Sequence, residues 1–495
     1  MRHSEGAGAP RLKRSSGLLW GRSLLGALGL TLVLGSAGQS ASLGTLTQLA
    51  GTAGCVSETG TDGLCAPGTG LGSAFSVAVS PDGRHVYVAS LMSGVGAVAV
   101  FARDEATGAL TQLTGSAGCV SGDGTGGLCA AGRALGWANS VTVSPDGWHV
   151  YVASLSGVAV FARDEATGAL TQLPGIAGCV SADGTGGLCA TGRALLGARS
   201  VVVSPDSWHV YVASWDGVAV FARDKATGAL TQLPGTAGCV SDDGTGGLCG
   251  DGRALYGATS VAVSPDGSHV YVVSWARSAV AVFARDKATG ALTQLPRKAG
   301  CVSERGVHRA MSESAADTKG LCAPGGQVLW NAESVAVSPD GSHVYVVSAN
   351  MAAITLFARD KATGTLTQLP GTAGCVSETE EYRLPIGPCA EGRALVGAYS
   401  VAVSRDGQHV YVASYMYGAV AVFARDKATG RLTQLPGTAG CVSQTGWHYA
   451  TRGLCAAGTG LDGATSVALS PDDRHLYVAS YGPNMNGGVA VFARH

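Results

Sequence analysis

The segment SVAVSPDGSHVYVVS, residues 260–274, has close copies at seven places in the chain, and no other feature narrows the possible folds as much. Its motif serines fall at Ser80, Ser144, Ser204, Ser264, Ser338, Ser404 and Ser470, spaced by 60 to 74 residues. Each copy runs on into a segment such as GVAVFARDKATGALTQLPGTAGC, residues 217–239. A unit of this kind cannot bury its own apolar face, so the copies must pack on one another. Within a unit, SVAVS, HVYVAS, AVAVFAR and ALTQL alternate β-branched or aromatic residues with small or polar ones, the signature of strands. Turn residues part them: Pro-Asp-Gly after the first strand and Asp-x-Ala-Thr-Gly after the third. Four antiparallel strands per unit, seven units and almost no helical period predict an all-β seven-bladed β-propeller, because radial repetition closes the array and protects its strand edges.

The ends of the chain support closure. The last copy stops after a third strand, GGVAVFAR at 487–494, while GTLTQLAG at 44–51 is a fourth strand without its first three. One blade is therefore expected to form from both termini.

Ahead of that strand, Arg2, Arg11, Lys13, Arg14 and Arg22 precede the apolar run SLLGALGLTLVLG, residues 23–35, and then Gly35, Ser36 and Ala37. This reads as an export signal over residues 1–37, with 38–495 as a single propeller, since the apolar run is shorter than the roughly 20 residues a membrane span needs. The mature chain would keep 28 basic against 33 acidic residues, a net charge of -5. No concentrated basic face exists to meet phosphates, so no nucleic-acid partner is expected. The mature protein is expected to be secreted or at the cell surface, periplasmic in a Gram-negative cell, and a monomer without a membrane span.

The cysteines pair by neighbourhood: Cys55 with Cys65, Cys119 with Cys129, Cys179 with Cys189, Cys239 with Cys249, Cys301 with Cys322, Cys375 with Cys389, and Cys441 with Cys455. An even count, one pair per repeat and an export signal predict local disulfides. Zinc would need four ligands and each loop offers two, so no metal or cofactor is expected. A calcium reading of Asp242, Asp243 and Thr245 is weakened by Gly122, Ala182 and Gly184 in the sister loops. Four loops enclose nine residues, the fifth twenty, and the sixth and seventh thirteen each.

The histidines at 85, 149, 209, 269, 343, 409 and 475 repeat in every blade and are read as structural. The Arg-Asp pair of each FARD segment, such as Arg223 and Asp224, is read as fixing its hairpin. No P-loop, dinucleotide fingerprint or His-Glu-x-x-His motif occurs.

The stretches SPDGRHVYVAS, residues 80–90, and GAVAVFARDEATGALTQL, residues 96–113, resemble the repeats of the lactonase-like, YVTN-type β-propellers, with Ser90 where that family often has Asn. The resemblance covers all seven units. It implies the propeller fold and, as one possible activity, hydrolysis of a lactone; fold alone does not fix function.

In propeller order, the stapled loops and the entry into each first strand share one face, opposite the Pro-Asp-Gly turns. The entry motif is Ala-x-Ser-Val, and x differs in nearly every copy: Phe75, Asn139, Arg199, Thr259, Glu333, Tyr399 and Thr465. These should ring the channel mouth. Where the family tends to have Pro followed by His or Arg, every copy here has Ala, and Arg199 alone matches the charged position. Glu333 and Arg199 are the ring residues suited to activate water and to stabilise an oxyanion. After the second strand stand Leu91, Leu155, Trp215, Trp275, Ala349, Tyr415 and Tyr481, whose four aromatics could stack on a ligand or pack as core. The leading expectation is binding of a small molecule, glycan or protein at the stapled-loop face, with lactone hydrolysis as the alternative and a purely structural surface protein as the third.

Overall fold

The second unit shows how one blade is built. Its strands Ala138–Val143, His149–Ser154 and Gly157–Arg163 form an antiparallel meander. Beyond them the expected fourth strand is broken. Leu170–Gln172 pairs with Phe161–Arg163, a 3-10 turn over Gly175–Gly178 interrupts, and Cys179–Ser181 resumes along Val158 and Ala159. A two-residue fifth strand, Ala190–Thr191, then pairs parallel to Cys179–Ser181. The same order recurs in all seven sheets of the computed structural model, which describes residues 43–304, 322–325, 328–378, 388–446 and 454–495. Residues Ala41–His495 form one compact unit. The export signal predicted over 1–37 lies outside the described residues, as do 305–321, 379–387 and 447–453 within the three long loops.

The seventh blade closes as its sequence requires. Leu46–Gln48 pairs with Phe492–Arg494, and Cys55–Ser57 pairs with Gly488–Ala490 of the same last strand. The chain is a seven-bladed β-propeller.

Apolar residues of the second and third strands fill the space between blades. The tyrosines at 87, 151, 211, 271, 345, 411 and 477 are fully buried, as are the matching phenylalanines from Phe101 to Phe492. A polar clamp crosses each junction. Arg223 of the third blade reaches into the second: Nε donates to the Tyr151 hydroxyl at 2.7 Å, Nη1 and Nη2 to the Asp146 carboxylate at 2.6 and 3.0 Å, and Nη2 to His149 Nδ1 at 2.7 Å. Guanidinium only donates, so His149 Nδ1 is the acceptor and its proton sits on Nε2, which faces the Thr227 backbone. Tyr151 in turn donates to the Gly228 carbonyl at 2.8 Å. Gly228 has φ +80°, and a side chain there would strike the His149 ring, so glycine is required twice over.

The reading of the Arg-Asp pair as one hairpin-fixing element therefore divides. Asp224 does hold its own turn, accepting from the Ala226 and Thr227 amides at 2.9 and 3.0 Å. Arg223 bridges blades instead. Equivalent clamps run to Arg103, which grips Tyr477, Asp472 and His475, and to Arg494, which grips Tyr411, Asp406 and His409, so the circle is complete.

All fourteen cysteines form the seven neighbouring disulfides, with Cα atoms 4.7 to 4.8 Å apart. They staple the resumed fourth strand to the start of the fifth, at the outer edge of each blade, rather than crowding the channel mouth. The carboxylates of the fourth stapled loop are engaged within the protein: Asp242 pairs with Arg277 at 2.8 Å and Asp243 accepts from the Thr245 amide at 2.8 Å. Among the described residues no group of three or more His, Cys, Asp or Glu could hold a metal ion. Seven disulfides predict that reduction and unfolding add 14 hydrogens to the intact mass; free thiols in the native protein would contradict the pairing.

Candidate functional site

At the entry to the first strand the register slips between Ala74 and Ser76, and equally at Ala138/Ser140, Ala258/Ser260, Ala332/Ser334, Ala398/Ser400 and Ala464/Ser466. Such a bulge leaves one residue outside the ladder and re-aims its side chain. That residue is x of Ala-x-Ser. All seven x residues, with the seven serines that follow them, line one cavity of about 160 Å³ on the propeller axis.

The serines give the cavity a fixed polar girdle. Ser76 Oγ accepts from the Val141 amide of the next blade at 3.2 Å, Ser140 from Val201 at 3.3 Å, and so on round to Ser466, which accepts from Val77 at 3.3 Å. Each hydroxyl keeps its hydrogen to donate.

The x residues divide by reach. Asn139 Nδ2 donates to the Ala198 carbonyl at 3.0 Å, Thr259 Oγ1 to Ala332 at 3.2 Å, and Thr465 Oγ1 to Ala74 at 3.2 Å, each on the neighbouring blade. These three polar groups brace the ring. The four longer side chains meet one another instead. Arg199 of the third blade lies near enough to the Tyr399 hydroxyl of the sixth, across the channel, to pull its pKa down. Phe75 stands edge-on to Tyr399 with centroids 5.4 Å apart. Glu333 lies near enough for the Arg199 charge to act on it, although no direct ion pair joins them among the described residues.

Electrostatics at this cluster are uneven. Protein atoms crowd the Glu333 carboxyl and disfavour its charged form; Arg199 offsets this in part, and the pKa is pushed up to about 7 from 4.5. Burial, and then the Glu333 charge, push the Tyr399 hydroxyl upward against the pull of Arg199, so Tyr399 stays a neutral donor.

The aromatics after the second strand wall the mouth on two sides. Trp215 stacks on Trp275, with centroids 6.0 Å apart and planes at 23°, and the Arg199 guanidinium lies 5.5 Å from the Trp215 centroid. Opposite, Tyr415 sits 6.4 Å from Tyr399 and 6.1 Å from Tyr481. Tyr256, which the sequence reading passed over, joins the Trp215 wall at 6.0 Å. Its signal was the same kind of variation among copies, three positions before x, where the other blades carry Gly72, Gly136, Leu196, Trp330, Val396 and Asp462.

The family model described as Lactonase, 7-bladed beta-propeller matches residues 76–237 and 190–301. The match lies within the first four blades, and over them the chain is similar to the lactonase-like seven-bladed propellers. No curated protein matches it. Solved structures similar to this propeller include the periplasmic gluconolactonase of Pseudomonas aeruginosa, 20% identical over 79% of this chain and 93% of that one, TM-score 0.48. A Kuenenia stuttgartiensis hydrazine synthase is 18% identical over 86% and 97%, TM-score 0.49. A β-propeller domain from Myceliophteria thermophila is 10% identical over 86% and 97%, TM-score 0.48. Seven disulfides point this propeller to an oxidising, extracytoplasmic compartment.

Proposed function

We propose that the channel mouth binds a small, oxygen-rich ring and hydrolyses a lactone there. The observation that carries this reading is the convergence of Arg199, Glu333 and Tyr399, from three different blades, in one cavity. Ionised Glu333 takes a proton from water as the water oxygen bonds to the lactone carbonyl carbon. The carbonyl oxygen gains charge and is met by the Arg199 guanidinium and the Tyr399 hydroxyl. The tetrahedral species collapses with cleavage of the ring carbon–oxygen bond, and the departing oxygen takes the proton from Glu333. The aromatic walls and the serine girdle supply stacking faces and hydrogen bonds for a ring of sugar size, and a secreted or surface location fits the disulfides.

A second reading, binding without turnover, is favoured by the paired aromatic walls, Trp215 with Trp275 and Tyr415 with Tyr481. A panel of γ- and δ-lactones assayed on the oxidised protein separates the two. Hydrolysis is expected, with Arg199→Ala and Tyr399→Phe each lowering kcat/KM by roughly 100- to 1000-fold, the range for losing one oxyanion donor. A thermal shift with some lactone but no turnover would leave binding alone.

A further inference from the structure

The face opposite the channel mouth carries its own departure from the repeat. The residue before each repeated histidine is Arg84, Trp148, Trp208, Ser268, Ser342, Gln408 and Arg474 in chain order, so two neighbouring blades alone bear tryptophan there. Both indoles are exposed, Trp148 at 55% and Trp208 at 52%. Their backbones are pinned: the Trp148 and Trp208 carbonyls accept from the Arg163 and Arg223 amides at 2.9 and 2.8 Å, and both amides donate to the turn aspartates Asp146 and Asp206. Lys225 Nζ lies 4.0 Å from the Trp208 centroid, covering one face of that indole and leaving the other to solvent.

We propose that Trp148 and Trp208 form a stacking platform for an extended pyranose chain, on the rim of the face opposite the channel mouth. An indole face buries the C–H face of a pyranose, whose hydroxyls need polar partners around it. Those partners are present: Glu165 lies against the Trp148 turn, Lys225 against Trp208, and the exposed Arg84–Glu105 pair, 3.7 Å apart, occupies the same position on the preceding blade. A protein partner would ask for a continuous apolar surround, and these neighbours are charged. Two indoles on adjacent blades further suit a ligand several sugars long, since joined contacts reinforce one another. The platform is independent of the lactone reading, being on the other face and sharing no residue with it.

Calorimetric titration of the oxidised protein with cellohexaose, chitohexaose and mannohexaose tests it. At least one hexasaccharide should bind. Trp148→Ala and Trp208→Ala should each weaken it by about 10- to 100-fold, the worth of burying one large aromatic face. The double variant should lose binding, and Ser268→Ala, the same position on the fourth blade, should retain it. Both tryptophans are surface residues, so thermal unfolding of the variants should match the parent. The proposal is overturned if no hexasaccharide binds, if binding survives in the double variant, or if the double variant instead abolishes a concentration-dependent dimer.

Discussion

Glu333→Gln is expected to lose lactone hydrolysis while gaining stability at alkaline pH. The amide cannot take a proton from water, and loss of a general base costs on the order of 10²- to 10⁴-fold. In the parent protein kcat/KM should rise with pH through about 7, where the Glu333 carboxyl ionises. The same group has an opposite effect on folding. Its folded pKa lies above its ordinary 4.5, so between about 4.5 and 7 the folded state holds a proton that the unfolded state releases, and stability falls as pH rises through that window. Above pH 7 the buried charge costs up to about 3 kcal/mol. Glutamine removes that cost at pH 8 and changes nothing at pH 4, a pattern that denaturant titration at the two pH values would reveal. Equal stability of parent and variant at pH 8 would show that Glu333 is not held in a charge-hostile cavity. Unchanged turnover would remove it from the mechanism.

Arg223→Ala, standing for the equivalent clamp arginines, should be strongly destabilising although it lies outside the strands' apolar core. The side chain is fully buried, and its loss takes a donor from the Tyr151 hydroxyl, from His149 Nδ1 and from the Asp146 carboxylate at once. Removing one partner of a buried pair costs about 3 to 5 kcal/mol, because the other charge stays behind. For a domain of this size that is a Tm lower by roughly 4 °C. Burial raises the Asp146 pKa, but the hydrogen bonds from Arg223 and Ser144 outweigh it and hold the group below its ordinary value. Its contribution is therefore present above the ordinary carboxylate range and is lost as pH falls below it, so the difference between variant and parent should narrow in acid. A Tm within a degree of the parent at neutral pH would rule out the clamp as a major stabiliser.

These two residues mark where sequence reading worked and where it stopped. Glu333 and Arg199 were visible as candidates because a bulge position that varies among near-identical copies stands out without any coordinates. Tyr399 is equally visible there as a ring residue, but nothing in the chain shows that its hydroxyl comes under the influence of Arg199, 200 residues earlier. Nor does the sequence say that Asn139, Thr259 and Thr465 turn to the next blade's carbonyls. Short side chains reach only what the neighbouring backbone offers, while long ones span the channel, and that sorting depends on the channel's width. The Arg of FARD looked local because its aspartate is local; its true partners lie about 75 residues back in the preceding blade.

What the sequence by itself determined was everything that repeats: seven units, strands of period two, the turns between them, the local cysteine pairs and the blade shared by both termini. These follow from short-range chemistry copied seven times, and the same local forces act in each copy. The tertiary structure decided what does not repeat. Closing the ring brings residues of the third, fifth and sixth blades to one axis and crowds the Glu333 carboxyl within reach of the Arg199 charge. It also leaves two indoles exposed on the opposite rim. Those outcomes depend on distances across the ring, and no period along the chain encodes them.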